Sequence, residues 1–154
     1  MIKTIKKDIT TVDWGIVAHG VNCQHKMASG VAKAIRNKWP KVYESYMASP
    51  RGKTMLGMAH LIPLNPALDN LFVVNCYTQN FYGYGGGKYA DPDAIRSSLK
   101  RVYEWADYYD LDVYLPKIGA GLGGLNWEKD VLPIIKELDT EFSRVNFTFI
   151  CEWE

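Results

Sequence analysis

Hydrophobic positions recur with two different periods along the chain, and the changes of period outline strands followed by helices. Residues 1–7 alternate apolar and polar side chains and predict an edge strand. Residues 14–19 are almost continuously apolar and predict a short strand that leads into a polar loop. A helical period follows, from Ser29, which can cap the helix, to about Trp39, where Pro40 ends it.

The rest of the chain continues this alternation of strands and helices. Strands are predicted over 55–63, 70–76, 111–115 and 145–151, and helices over 41–48, from Asp91 onward, and over 127–138. Pro133 lies inside the last helix and argues against its first half. The alternation predicts an α/β layered domain with a mostly parallel sheet, in which ligands bind beyond the carboxyl ends of the strands.

Length and composition narrow the class of protein. A chain of 154 residues with 47% hydrophobic residues predicts one globular domain. A formal net charge of +1 predicts no strong nucleic-acid footprint. The three cysteines, Cys23, Cys76 and Cys151, lack metal-ligand spacing and are typical of reduced thiols, so neither a metal nor a cofactor is expected.

The chain carries no pattern typical of targeting to a membrane. Its first residues lack the apolar core of a signal peptide, and no apolar run approaches the ~20 residues of a membrane span. We therefore expect a cytoplasmic protein without a membrane partner.

The segment 115–127, Leu-Pro-Lys-Ile-Gly-Ala-Gly-Leu-Gly-Gly-Leu-Asn-Trp, carries the strongest chemical signal. Its glycines allow close approach of a ligand, and the amides that open the following helix favour a phosphate or diphosphate. The segment formally matches the fingerprint of a nicotinamide or flavin oxidoreductase, although that fingerprint normally opens the first βαβ unit and this one lies late in the chain. A purely structural turn is the other interpretation.

A second loop, within residues 16–35, has a related design. It follows a strand, contains Asn22 and enters a helix through the small residues Ala28, Ser29 and Gly30. Backbone donors at that helix start provide a second place where phosphate oxygens can bind.

The two loops together resemble those of macrodomains, which bind ADP-ribose. Residues 22–31 are similar to the first ligand loop of that family and residues 115–127 to its diphosphate loop. Residues 7–10, Lys-Asp-Ile-Thr, resemble the family's Gly-Asp-Ile-Thr start, with lysine replacing glycine. The resemblance covers nearly the whole chain and implies one three-layer α/β/α macrodomain over residues 1–154, with a mixed, mostly parallel central sheet.

The resemblance also implies roles for particular residues. Asp8 would accept a hydrogen bond from the adenine amino group, with the Ile9 amide beside it, and Asn22 would hold the distal ribose. Trp153 is a candidate for stacking on adenine. The diphosphate and distal ribose would be wrapped by Met27, Ala28, Ser29, Gly30, Val31, Gly119, Ala120, Gly121, Leu122 and Gly123.

Within the family, the chain most resembles the branch of ADP-ribose-1''-phosphate phosphatases and ADP-ribosyl hydrolases. His19 matches a histidine of the phosphatase-like members, where it would act as a general base on water or bind the terminal phosphate. The alternative is a histidine at a strand end, satisfied by a backbone carbonyl. Gln79, which is also expected among the ligand-binding residues, stands where hydrolases of protein- or DNA-linked ADP-ribose use a lysine, and Gly123 stands where some of them use an aspartate. Both departures argue against the covalent lysine route.

These residues imply an ADP-ribose-1''-phosphate phosphatase with His19 and Asn22 as its catalytic residues. Two alternatives stay open: a non-catalytic reader of free or attached ADP-ribose, and a lysine-independent hydrolase of ADP-ribosylated protein or nucleic acid. The aromatic, glycine-rich segment 81–89 is either a lid over the distal ribose or a mobile loop or partner surface. His25 and His60 are interpreted as ordinary structural histidines, and Asp91 as a helix cap.

Overall fold

The computed structural model describes residues 2–27, 30–82, 89–116, 118 and 124–150. Within these residues, six strands form one sheet and four α-helices cover it. The strands are β1 (Ile2–Ile5), β2 (Gly15–Asn22), β3 (Ala59–Pro63), β4 (Leu71–Gln79), β5 (Val113–Leu115) and β6 (Phe147–Ile150). The helices are α1 (Gly30–Lys38), α2 (Pro40–Ala48), α3 (Pro92–Tyr109) and α4 (Leu132–Glu141).

The sheet has the strand order β1-β6-β5-β2-β4-β3. Every neighbouring pair is parallel except β3 and β4, which are antiparallel. The predicted mixed, mostly parallel sheet with β1 at an edge is therefore confirmed. Because five strands are parallel, their carboxyl ends meet at one edge of the sheet, called the carboxyl edge below.

Two hydrophobic cores lie on opposite faces of the sheet and make it the middle of three layers. Ile16 and Ala18 of β2 face the core formed with α3 and α4. Val17 and Val21 face the core formed with α1 and α2. Because β2 is buried on both faces, its sequence is continuously apolar and does not alternate.

The edges of the sheet are covered or short. β3 forms the edge opposite β1 and ends at Pro63, whose carbonyl oxygen accepts a hydrogen bond from Lys41 Nζ at 2.8 Å. β1 contains only four residues, with Lys3 exposed among them. No helix within the described part of the chain is long and apolar enough to cross a membrane.

The longest helix begins and ends as its sequence predicts. Asp91 Oδ1 accepts hydrogen bonds from the backbone amides of Asp93 at 2.8 Å and Ala94 at 3.4 Å, so Asp91 is the N-cap of α3. Asp110 closes the helix in the left-handed region, with φ of 55°. The capping interpretation of Asp91 is confirmed.

Several element boundaries differ from the predicted ones. The predicted strand over 55–63 begins only at Ala59, because Lys53–Met55 forms a 3-10 turn. β2 and β4 run on to Asn22 and Gln79, three residues beyond the predicted ends of each strand, and so bring these two side chains into the sheet. The predicted strand end Cys151 lies outside the described residues.

The last helix is divided in the way that Pro133 suggested. Trp127–Val131 forms a π-helical turn, and α4 begins only at Leu132. Pro133 therefore lies in the first turn of α4, where its missing amide hydrogen leaves no hydrogen bond unmade.

Gly15, at the start of β2, is required both by its backbone and by its neighbours. Its φ is +124°, and a Cβ there would lie 2.8 Å from the Asp112 carbonyl oxygen and 2.9 Å from the Tyr114 ring. Gly52 has a similar φ of +117° but no heavy atom within 4 Å of such a Cβ. Alanine at Gly52 would therefore cause backbone strain alone, whereas alanine at Gly15 would cause both backbone strain and steric overlap.

We expect Gly52→Ala to lower the free energy of unfolding by about 1–3 kcal/mol through backbone strain alone. Gly15→Ala adds overlap with backbone and should cost about 1–3 kcal/mol more. Urea denaturation of both variants measures the difference. Equal losses would mean that β5 shifts to accept the Cβ at no cost.

Candidate functional site

The predicted ligand residues that the structure describes gather at the carboxyl edge and on the α1/α2 side of the sheet. Asn22 ends β2, Gln79 ends β4, and Gly30 begins α1. Asp8 and Ile9 lie in the connection between β1 and β2. Ala28, Ser29, Gly119, Ala120, Gly121, Leu122, Gly123 and Trp153 lie outside the described residues.

Asn22 organises the loop between β2 and α1. Its Oδ1 accepts from the backbone amides of Gln24 at 2.9 Å and Lys26 at 3.3 Å, and its Nδ2 donates to the Lys26 carbonyl at 2.8 Å. The side chain is 7% exposed. An asparagine bonded in this way folds its own loop, and one Nδ2 hydrogen is left for a ligand.

Tyr46 of α2 is a second support of this loop. Its single hydroxyl hydrogen is shared between the backbone oxygen of Asn22 at 2.5 Å and Asn22 Oδ1 at 2.9 Å, and the residue is fully buried. Burial raises the pKa of the Tyr46 hydroxyl, so it remains a donor at neutral pH. The sequence analysis missed Tyr46. The sequence feature that could have identified Tyr46 is a tyrosine on the apolar face of a predicted helix, because a buried hydroxyl needs a hydrogen-bond partner.

His25 lies inside the same loop, in a conformation uncommon for its type. Its φ is 60°, and its ring contacts the Tyr46 ring edge-on with centroids 5.2 Å apart. The ring is partly buried, and its Nε2 has no hydrogen-bond partner among the described residues. His25 is therefore packed against Tyr46, and the loop from Asn22 to Met27 forms one unit with α2.

Gln79 lies beside Asn22, although the two are far apart in the sequence. They are register partners where β2 and β4 end, and the Gln79 carbonyl accepts from the Cys23 amide at 3.0 Å. The Gln79 side chain donates from Nε2 to the Phe81 carbonyl at 2.8 Å. A neutral amide therefore stands at the position where the resemblance expects a lysine in the hydrolases.

His19 occupies an interior position that does not support the expected role as a general base at the substrate. The residue is 1% exposed, and its Nε2 lies 2.6 Å from Asn75 Oδ1, its register partner on β4. Burial lowers the pKa of His19 to about 4, against a weaker opposing effect of the Asn75 hydrogen bond. The ring is thus neutral at pH 7 and donates from Nε2, because an amide oxygen only accepts.

The alternative interpretation of His19, as a histidine satisfied by a backbone carbonyl, holds only in part. Its buried Nδ1 has no hydrogen-bond partner among the described residues, and only Nε2 is bonded. Its partner is the side chain of Asn75 and not a backbone carbonyl. Asn75 is fully buried in the middle of β4. Sequence reasoning missed it because a single polar residue in an apolar strand identifies no partner until the register is known.

His60 continues the line of polar side chains that His19 and Asn75 form across the sheet. It is the register partner of Asn75 on β3, and its Nδ1 lies 3.4 Å from the Ser49 hydroxyl. Burial lowers the pKa of His60 as well. Two neutral histidines therefore lie on the α2 side of the sheet, behind the ligand loop.

Asp8 caps a short 3-10 turn at the start of the predicted adenine region. Its Oδ1 accepts from the Thr10 hydroxyl at 2.6 Å and from the Thr10 amide at 2.9 Å. These hydrogen bonds, and to a smaller extent the charge of Lys38, lower the pKa of Asp8. Ile9 is buried beneath the turn, so the turn is anchored in the α1/α2 core.

Buried side chains anchor two further segments of the site, the residue Met27 and the described part of the glycine loop. Met27 is 2% exposed in the α1/α2 core, so a ligand would contact its backbone and not its side chain.

The described part of the glycine loop is anchored by Ile118, which is buried against Gly20 of β2. A Cβ on Gly20 would lie 2.7 Å from Thr78 Oγ1 and 3.0 Å from Ile118 Cγ1, so this close approach requires glycine.

The helix start after the glycine loop is capped from both sides. Asn126 Oδ1 accepts from the Lys129 amide at 2.9 Å, and Asp130 Oδ2 accepts from the Asn126 amide at 2.8 Å. Such reciprocal bonds fix the direction in which the chain leaves the loop. Within the described ranges, no group of three or more His, Cys, Asp or Glu residues is arranged to hold a metal ion.

Comparison with known proteins agrees with this geometry. The family model of the macro domain matches residues 18–134, and the chain belongs to the macro domain family. A structure of a macrodomain protein from Streptomyces coelicolor has a TM-score of 0.76 and 24% identity, with 98% of this chain and 99% of that chain covered. The three-layer α/β/α fold is that of macrodomains.

Three relatives show what the chain is similar to. An uncharacterised 17.5 kDa protein of Enterobacteria phage T4 is 29% identical, covering 100% of this chain and 97% of its own. An ADP-ribose 1''-phosphate phosphatase of Debaryomyces hansenii is 32% identical, and the match covers 86% of this chain and 92% of that protein. A DNA ADP-ribosyl glycohydrolase of Mycobacterium tuberculosis is 26% identical over 79% of this chain but only 34% of its own length.

The buried His19 should make stability depend on pH in a defined window. The folded state binds fewer protons than the unfolded state between the folded pKa of about 4 and the ordinary value of 6.5. The stability contributed by the neutral ring is therefore complete above pH 6.5 and is lost as pH falls toward 4, by on the order of 3 kcal/mol in total.

Urea denaturation between pH 7 and pH 4 measures this effect in the wild type and in His19→Gln, which keeps a donor for Asn75 but does not titrate. We expect the variant to lose much less stability over the window. His60→Gln is the control, because its partly exposed ring should alter the slope less. Identical slopes for the wild type and His19→Gln would contradict the interior, neutral assignment.

Tyr46→Phe removes the hydroxyl that bonds Asn22 and should lower the free energy of unfolding by about 1–3 kcal/mol, since it leaves buried acceptors with one donor fewer. Tyr43→Phe on the same helix is the matched control and should change stability by less than about 0.5 kcal/mol. Hydrogen exchange of the Gln24 and Lys26 amides reports the loop directly. Unchanged exchange in Tyr46→Phe would show that Asn22 holds the loop without α2.

Proposed function

We propose that this protein binds ADP-ribose compounds at the carboxyl edge and removes the terminal phosphate of ADP-ribose-1''-phosphate. The observation that carries the proposal is the meeting of Asn22 and Gln79 at the ends of β2 and β4. This corner carries the loop that resembles the ADP-ribose loop of macrodomains, with an amide where a covalent hydrolase would need a lysine. The similarity to an ADP-ribose 1''-phosphate phosphatase over most of both chains supports the same choice.

The proposed binding roles are those that the resemblance to macrodomains implies, and the hydrogen bonds of Asp8 support one of them. Both bonds from Thr10 use Oδ1 of Asp8, which leaves Oδ2 to accept from the adenine amino group, with the Ile9 amide beside it. The diphosphate would lie between the start of α1, at Gly30 and Val31, and the glycine loop 119–123. Free amides at a helix start favour an anion there. Trp153 would stack on adenine.

The proposed reaction is hydrolysis of a phosphate monoester. A water molecule attacks the terminal phosphorus, and the bond from phosphorus to the ribose oxygen breaks. One proton of the attacking water ends on the ribose oxygen, so the products are the ribose hydroxyl and inorganic phosphate. Backbone amides of the two loops would stabilise the charge that develops on the phosphoryl oxygens. The remaining Nδ2 hydrogen of Asn22 would orient the distal ribose, and no step requires a metal or a cofactor.

In this proposal His19 acts through position and not through proton transfer. It bonds Asn75, and the pair joins β2 to β4 three residues before Asn22. This hydrogen bond would help to hold the corner formed by Asn22 and Gln79. His19 is therefore a positioning residue in the proposed mechanism.

A second function, a non-catalytic ADP-ribose reader, is favoured by one specific observation. The histidine that the resemblance linked to catalysis is buried and neutral, and a site that only binds ADP-ribose needs no general base. A reader would use the same loops and the same Asn22 contact. The two functions differ only in whether phosphate is released.

Phosphate release from ADP-ribose-1''-phosphate tests the proposal, with ADP-ribose affinity measured separately by calorimetry. We expect the wild type to release phosphate and Asn22→Ala to lower kcat/KM by about tenfold or more, because the variant loses both the proposed contact to the distal ribose and the bonds that hold the ligand loop. Asn65→Ala, between β3 and β4 at the opposite edge of the sheet, is the control and should keep at least half of the activity. Binding without phosphate release would overturn the phosphatase and leave the reader.

A second variant tests the proposal that the glycine loop binds the diphosphate of ADP-ribose. Gly121→Val should abolish ADP-ribose binding, because a branched side chain would occupy the space that the diphosphate needs. Circular dichroism and thermal unfolding check that the variant is folded. If the folded variant bound ADP-ribose like the wild type, the assignment of the glycine loop to the diphosphate would be wrong.

A further inference from the structure

Three separate segments of the chain meet at the carboxyl edge, beside the corner formed by Asn22 and Gln79. The backbone amide of Cys23 donates to the carbonyl oxygens of Gln79 at 3.0 Å and Asn80 at 3.1 Å. The Cys23 carbonyl accepts from the amide of Gly52 at 2.8 Å. The ligand loop, the end of β4 and the connection after α2 are therefore joined at one buried residue, Cys23.

The side chains next to this junction form a second set of hydrogen bonds, called the amide-guanidinium row below. Gln24 Nε2 donates to Asn80 Oδ1 at 3.2 Å, and Arg51 Nε donates to Gln24 Oε1 at 3.4 Å. Gln24 and Asn80 are partly buried, and Arg51 is exposed. Because the Gln24 backbone amide also donates to Asn22 Oδ1 at 2.9 Å, the row is attached directly to the folded ligand loop.

The hydrogen bonds of the row all run in the same direction. The Gln24 oxygen faces the Arg51 donor, and the Asn80 oxygen faces the Gln24 donor. The groups left over are Nη1 and Nη2 of Arg51 and Nδ2 of Asn80, and all of them can only donate. Within the described ranges, no acceptor is bonded to these groups. A row that ends in donors, one end of it cationic, suits a ligand that is negatively charged and rich in acceptors.

The proposed substrate carries such a group beyond the distal ribose. A phosphate monoester has a charge of about −1.5 to −2 at pH 7 and three acceptor oxygens. ADP-ribose lacks this group, so recognising it requires donors other than those that bind the diphosphate. Asn22 and Gln79 are neutral amides, and His19 is neutral and buried. Among the described residues, Arg51 is the cation whose side chain is bonded to this part of the site.

Two further cations, Lys26 and Lys53, lie close to these segments along the chain. Both residues are exposed. Over the part of the chain that the structure describes, neither ammonium forms a hydrogen bond or an ion pair that would hold it at the corner. An ammonium is also a point donor, whereas a guanidinium binds two phosphate oxygens in one plane. The geometry therefore favours Arg51 over the two lysines.

We infer that Arg51, held by its bond to Gln24, is a specificity-determining residue that binds the terminal phosphate of ADP-ribose-1''-phosphate, with Asn80 Nδ2 beside it. The inference rests on the proposed function, to which it adds a means of distinguishing substrate from product. Hydrolysis removes the group that Arg51 binds. The product ADP-ribose is then held by the adenine and diphosphate contacts alone, so Arg51 favours the binding of substrate and lessens inhibition by product.

Arg51→Gln removes the cation from the row and tests the inference. Arg144→Gln is the matched control, because it removes the same group from an exposed residue that precedes β6, at the opposite edge of the sheet. Lys26→Gln tests the neighbouring cation of the ligand loop. For each protein, phosphate release from ADP-ribose-1''-phosphate gives kcat/KM, and calorimetry gives the Kd of ADP-ribose.

We expect Arg51→Gln to lower kcat/KM about tenfold, mainly through a higher KM, since the contact is already made in the bound substrate. The Kd of ADP-ribose should change by less than about twofold, because ADP-ribose has no group for Arg51 to bind. Arg51→Lys keeps the charge without the planar fork and should restore only part of kcat/KM. Arg144→Gln and Lys26→Gln should each retain more than about half of the wild-type kcat/KM.

Three results would overturn the inference. Equal losses of kcat/KM and of ADP-ribose affinity in Arg51→Gln would mean that the residue supports the loop and does not contact the terminal phosphate. An unchanged kcat/KM would mean that the phosphate does not reach Arg51. A loss in Lys26→Gln but not in Arg51→Gln would assign the contact to the lysine.

Failure of the proposed function is seen separately from failure of this inference. If the wild type binds ADP-ribose but releases no phosphate, the protein is a reader, and calorimetry with intact ADP-ribose-1''-phosphate replaces the kinetics. Tighter binding of this compound than of ADP-ribose, lost in Arg51→Gln, would still support the role of Arg51, and equal binding by the wild type would overturn it. No binding of ADP-ribose by the wild type would overturn the proposed function and the inference together.

Discussion

The whole candidate site depends on the way in which Asn22 closes the loop that follows β2. Its side chain accepts hydrogen bonds from two backbone amides and from the Tyr46 hydroxyl, and it donates one to a backbone carbonyl. These bonds fix where the chain turns toward α1, and so where the first amides of that helix point. A ligand that binds through backbone amides gains affinity only if those amides are already in place, because ordering them on binding costs free energy. The polar cluster under the loop therefore serves preorganisation.

Much of the architecture follows from local patterns in the sequence. The continuous apolar run in β2 reflects burial on both faces, and the Asp91-Pro92 start of α3 is a strong local signal. The resemblance of two loops to macrodomains identified the family, which the family match over residues 18–134 confirms. Expectations of this kind succeed where the determinant is short in sequence or extends over a whole motif.

What the sequence could not predict depends on contacts between distant elements. The depth of His19 and its bond to Asn75 depend on the register of β2 against β4, which no local pattern specifies. The contact of Tyr46 with Asn22 joins α2 to the end of β2 across 24 positions.

The edges of the sheet have a consequence for the behaviour of the protein at high concentration. An unpaired edge strand offers amides and carbonyls to any other strand, and natural sheets block this with prolines, lysines and short strands. β3 ends at Pro63, which has no amide hydrogen to donate, and Lys41 already occupies the Pro63 carbonyl. β1, at the other edge, has four residues and an exposed Lys3. The apolar strands in the interior, which would aggregate readily if exposed, are thus enclosed between two edges that disfavour the addition of a strand from a second molecule.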